Sequence, residues 1–96
     1  MSANRMERAF RIVNILDANG HLNEVQLHYD PSRCKADWDL LHSLAEQVWV
    51  DSRRQIRVAV DDAEFGIISF RRNTAVNARY DAHRAVRMFR DCIQAK

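Results

Sequence analysis

Arginine has the widest chemical reach of any side chain in this sequence. Arg53, Arg54 and Arg57 crowd one short stretch, and Arg71 and Arg72 close another. Arg33 and Lys35 stand just ahead of an apolar run. Arg79, His83, Arg87 and Arg90 recur at steps of four, four and three. Lysine occurs only at Lys35 and Lys96, so the fifteen basic residues are mostly arginines. The guanidinium is a flat fork that meets phosphate, carboxylate or guanine through two bonds at once. Thirteen acidic residues leave a net charge of +2, which permits a nucleic-acid partner and does not require one.

Other chemistry is thin. No glycine-rich phosphate loop, His-Glu-x-x-His, Cys-x-x-Cys or Gly-x-Ser-x-Gly is present, and Gly20 and Gly66 are the only glycines. His21, His28, His42 and His83 have no metal-ligand spacing to cysteines or carboxylates. We expect no enzyme activity, no cofactor and no metal. Cys34 and Cys92 are read as reduced thiols on apolar helix faces.

Several elements must position these groups. Ninety-six residues, 47% hydrophobic and 29% charged, fit a single globular domain, with a core over 4–72 and a last helix over 74–94. No apolar run reaches the ~18–20 residues that span a bilayer, and the N-terminus has no signal-peptide core, so a cytoplasmic protein is expected.

Met6, Ala9, Phe10, Val13 and Leu16 share one face of a helix over 4–18, stopped by Asn19-Gly20. Residues 21–30 fit either a short helix (Leu22, Val25, Tyr29) or a strand (Val25, Leu27, Tyr29 alternating with Glu24, Gln26, His28). The alternation and the β-branched and aromatic content favour the strand. Asp30-Pro31 reads as an N-cap opening a central helix over 31–48, with Cys34, Trp38, Leu41, Ala45 and Val48 on one face. Ile56, Val58 and Val60 alternate as a strand, and 66–70 form a second across a loop holding Asp61, Asp62 and Glu64. Asn73 or Thr74 caps the last helix, whose apolar stripe runs from Ala75, Ala78 and Ala82 through Ala85, Val86, Phe89 and Cys92 to Ile93. That stripe packs across the domain or pairs with a second copy.

The run Glu7-Arg8-Ala9-Phe10-Arg11-Ile12-Val13-Asn14-Ile15-Leu16, followed by Gly20 and Leu22, resembles the opening of the winged helix-turn-helix in IclR-type bacterial transcriptional regulators. The resemblance implies an α+β, winged-helix-like fold of three or four helices with a small antiparallel hairpin or sheet. It also implies a small dimeric transcriptional regulator of bacterial or phage type, acting by operator occupancy on double-stranded DNA. Arg33 and Lys35 would then approach bases or phosphates, and Arg53, Arg54 and Arg57 the backbone beside the wing. Where that family carries Ser-Thr-aliphatic and then a basic residue, this chain has Ser32-Arg33-Cys34-Lys35, followed by Asp37 and Asp39. Two carboxylates facing phosphates repel. They fit the alternative, a non-enzymatic adaptor or inhibitor whose arginine faces, including Arg79, His83, Arg87 and Arg90, hold an acidic protein. If the arginines of 53–72 instead pair with Asp51, Asp61, Asp62 and Glu64, that region is simply a wet sheet face.

Overall fold

The computed structural model describes residues 10–72 and 82–94. Strand β1 (Phe10–Leu16) turns back into β2 (Leu22–Tyr29). A 3-10 turn (Pro31–Arg33) leads to helix α1 (Trp38–Asp51). Strand β3 (Ile56–Ala59), a second 3-10 turn (Ala63–Phe65) and β4 (Ile67–Arg72) follow, and α2 (Ala82–Ile93) comes last. The strands form one antiparallel sheet in the order β1-β2-β4-β3.

This corrects the expected fold. The described residues hold two helices on a four-stranded antiparallel sheet, not three or four helices with a hairpin. The stretch 10–16 is a strand where helical spacing pointed to a helix. Ile12, Val13 and Ile15 are β-branched, and pairing from Phe10↔Tyr29 to Leu16↔Leu22 satisfies their backbone. Asn19-Gly20 therefore closes a hairpin instead of ending a helix. Gly20 takes φ 82, and the Asp17 carboxylate accepts from the amides of Asn19 and His21, both at 2.9 Å. Those backbone bonds, that to His21 first, hold the Asp17 carboxyl below its usual pKa. The expected strands over 21–30, 56–60 and 66–70 are present as β2, β3 and β4.

Residues paired across an antiparallel sheet point to the same side. Val25, Leu27 and Tyr29 of β2, Ile68 and Phe70 of β4, and Ile56 of β3 share one side and are buried. Leu41, Leu44 and Val48 of α1 and Ala85, Val86, Phe89 and Ile93 of α2 complete that core. Helix α1 lies beside β3, and α2 lies over β2 and β4. Phe70 and Phe89 meet edge to face with centroids 5.0 Å apart. Both helices thus cover the same side of the sheet.

The central helix starts later than expected. Asp30 accepts from the Ser32 amide at 3.0 Å but caps only the single 3-10 turn, and Cys34 is extended at φ −125. Asp37 is the cap of α1, accepting from the Leu40 amide at 2.9 Å, and Asp39 lies in its first turn. Both carboxylates are thereby accounted for as helix-starting residues at the positive end of the dipole. The Lys35 amide donates to the Ile93 carbonyl at 2.7 Å, and Cys34 bridges Gln94, which ties this loop to the end of α2.

At its other end α1 stops in a Schellman turn, with Arg53 N–H on the Val50 carbonyl (3.0 Å) and Arg54 N–H on that of Trp49 (2.8 Å). Arg53 and Arg54 sit at φ 55 and 66, the left-handed region usually left to glycine. The expected last-helix caps Asn73 and Thr74, its first alanines and Arg79 lie outside the described residues, as do residues 4–9 of the first expected helix. Among the described residues, no helix is long and apolar enough to cross a membrane.

Candidate functional site

Neither described helix packs on the second side of the sheet, and the register arranges that side in rows. Arg11, His28 and Ile67 form the first. Val13, Gln26, Ser69 and Ala59 form the second. Ile15, Glu24, Arg71 and Arg57 form the third. Val13, Ile15, Ile67 and Ala59 are half-buried, while Arg11, Arg57 and Arg71 are exposed. The side is therefore an aliphatic floor with arginines around it.

A hydrogen-bonded line runs through that floor. Arg71 Nε donates to Glu24 Oε1 at 2.5 Å, and Gln26 Nε2 donates to Glu24 Oε2 at 2.6 Å. Gln26 Oε1, thus free to accept, accepts a hydrogen bond from His28 Nε2–H at 2.8 Å. Glu24, Gln26 and His28 are two apart on β2, so the pleat alone stacks them on one side. Glu24 is 9% exposed, and its charge is met by Arg71, whose side chain is 61% exposed. A carboxylate this covered needs such partners.

Burial pushes the His28 imidazolium down from its usual pKa, and the Arg11 charge adds to the effect. His28 is therefore neutral in the folded protein near pH 7, with its proton on Nε2. The unfolded chain binds a proton at a higher pH than the folded one. The His28 contribution is thus complete above the unfolded value of 6.5 and is lost as pH falls through the lowered folded value. We expect stability in urea to decline below pH 6.5 and His28→Gln to flatten that part of the profile. Arg11→Ala brings the His28 pKa back toward 6.5 in an NMR titration. An unchanged pKa in that variant would remove Arg11 from the row.

The residues singled out from sequence fall elsewhere. Arg33 is exposed in the turn before α1, and Lys35 follows it. Arg53 and Arg54 sit past the far end of α1, and Arg57 lies with its guanidinium 5.1 Å over the Trp49 ring. Fourteen residues of helix, about 21 Å, separate the first pair from the second. The structure does not bring the two groups together. In the basic stripe of α2, His83 Nε2 bonds Asn14 Oδ1 at 2.9 Å and so ties the helix to β1. Arg90 lies 3.4 Å from the Asp91 carboxylate, and Arg87 is exposed. The apolar face of α2 is occupied by the chain's own sheet.

Cys34 is half-buried, and burial raises its pKa, with Asp30 adding to the effect, so it is a thiol and not a ready nucleophile. Cys92 departs from expectation: it is exposed at the margin of the α2 stripe, its Sγ 3.9 Å from Met88 Sδ. Among the described residues, no three His, Cys, Asp or Glu side chains gather as metal ligands.

Sequence reasoning passed over Arg11, Glu24, Gln26, His28 and Arg71 as a group. The alternation in 22–29 carried part of the signal, since the residues opposite Val25, Leu27 and Tyr29 are those polar ones. Arg11 and Arg71 join only through strand pairing.

The described residues define a two-layer α+β module with both described helices on one side of the sheet. No protein-family model matches this chain, and neither a curated protein nor a solved structure matches it.

Proposed function

We propose that this chain is a non-enzymatic protein-binding module whose open sheet side holds an acidic, partly aliphatic segment of a partner protein. The observation that carries this reading is the pairing of half-buried Val13, Ile15 and Ile67 with exposed Arg11 and Arg71 on one surface. Phosphates have no use for the aliphatic floor, whereas a strand with alternating acidic and aliphatic side chains meets both features. Glu24 is neutralised by Arg71 and the Arg57 guanidinium lies over Trp49 of α1, so the charge left to the partner is that of Arg11.

The test is a titration of the full chain with a synthetic peptide alternating glutamate and valine, beside a random DNA duplex. The peptide is expected to bind, with affinity falling as salt rises. Arg11→Glu weakens it about three- to tenfold through loss of complementarity. Binding of the duplex alone, or peptide affinity indifferent to Arg11→Glu, would overturn the reading in favour of a DNA-binding or unrelated role.

A further inference from the structure

The shoulder of α1 beside β3 has a different character from the open sheet side. Trp38, His42, Ala45 and Trp49 recur at steps of four, three and four, so they form one line along the helix. Trp38 is 59% exposed, with its ring 4.2 Å from that of His42, and Val50 just past Trp49 is 61% exposed. A shallow trough follows this line from His42 to Trp49. His42, Ala45, Glu46 and Trp49 form its helix wall, and Arg57 and Val58 of the edge strand β3 form the other. Tryptophan side chains on an exposed line mark contact surfaces more often than wet ones.

The two ends of the line carry opposite charge. Next to Trp38, a cleft is lined by Asp37, Asp61 and Glu64, against a single cation, Lys35. Next to Trp49, the surface opens between Glu46, Val50, Arg53 and Arg54, with Arg57 over the indole, so three arginines outnumber one carboxylate there. Eleven residues of helix separate Trp38 from Trp49, about 16 Å along the axis. The Schellman turn that ends α1 holds Arg53 and Arg54 at this end, at φ 55 and 66.

A line that is acidic at one end, aromatic in the middle and basic at the other is complementary to itself once turned end for end. A twofold axis does this, and it repeats each contact twice. Among the described residues β3 is an edge strand with no neighbour on its outer side, as pairing with a second β3 would require. We propose that the chain forms a symmetric dimer through the α1–β3 seam, with α1 antiparallel to its mate. Trp38 of each copy packs toward Trp49 of the other, and Arg53 of each faces the acidic end of the other, at Asp61. Apart from Arg57, whose guanidinium lies over Trp49 in the seam, the seam takes no residue from the open sheet side.

Sedimentation equilibrium of the full chain tests this. The wild-type chain is expected to be a dimer that weakens with salt. Arg53→Glu, which puts like charges at both ends, is expected to weaken association at least about tenfold. Adding Asp61→Arg to the same chain restores it, because the two ends are then exchanged. Trp38→Ser gives a monomer with an unchanged far-ultraviolet spectrum, since the exposed indole is not part of the core. A monomeric wild-type chain would overturn the proposal. So would a dimer that survives Trp38→Ser and Arg53→Glu, or one lost through Arg11→Glu, which would place the contact on the open sheet side. Peptide binding by the Trp38→Ser monomer is read separately, so failure of the seam is distinguishable from failure of the sheet-side reading.

Discussion

Gly66→Ala is expected to lower stability by about 2–5 kcal/mol, the sum of a left-handed backbone cost of about 1–2 and an overpacking cost of about 1–3 kcal/mol. Gly66 has φ 78, and a β-carbon there would lie 1.9 Å from the Tyr29 carbonyl oxygen and 3.2 Å from Pro31 Cδ. The obstacle is backbone, so no side chain can swing aside. Nor can the strand end retreat, because the Tyr29 amide donates to the Gly66 carbonyl at 2.8 Å. The Tyr29 hydroxyl also donates to the Ala63 carbonyl at 2.9 Å, pinning the same turn from the core side. Gly20 is the control. It has φ 82 but nothing within 4 Å of an added β-carbon, so Gly20→Ala costs only the conformational part, about 1–2 kcal/mol. Urea unfolding of both variants checks this, and equal losses would mean that the Gly66–Tyr29 approach is wrong.

Phe89→Ala is expected to cost about 3–5 kcal/mol, the usual range for removing a buried phenyl ring. Phe89 is fully buried and forms the edge-to-face pair with Phe70 that seats α2 on the centre of the sheet. Val86 and Ile93 flank it on the same helix, and neither can fill the space without moving the helix. Phe65→Ala is the matched control: its ring is 71% exposed, and removal shifts stability by no more than about 0.5 kcal/mol. A loss at Phe89 as small as that at Phe65 would show that α2 is not packed on the sheet.

Legibility from sequence followed how local each element is. Strand β2 shows its two sides directly, because Val25, Leu27 and Tyr29 alternate with Glu24, Gln26 and His28. The sequence shows helix α1 through Leu41, Ala45 and Val48, but not its start, and Trp38 of the same expected face is exposed. Asp30 and Asp37 carry the same capping signal, and the intervening chain is extended where the Cys34–Lys35 segment bonds to the end of α2. Strand β1 carries a helical signal in the sequence because Phe10, Val13 and Leu16 also sit at helical spacing. Its strand identity comes from non-local pairing with β2. The candidate site suffered in the same way. Its β2 members are spaced by the pleat, whereas Arg11, Arg57 and Arg71 reach it from three other strands. An edge or centre position in a sheet is not written in any one segment.

The most direct test of the sheet-side reading is a map of backbone amide shifts in the full chain as the glutamate–valine peptide is added. The account predicts changes at Arg11, Val13, Gln26, His28, Ile67 and Arg71, with His28 responding most because Arg11 beside it loses solvent. The amides of Arg87 and Arg90 on α2 are expected to stay still. Changes confined to the helices or to the Arg33–Lys35 turn, with the sheet undisturbed, would contradict it.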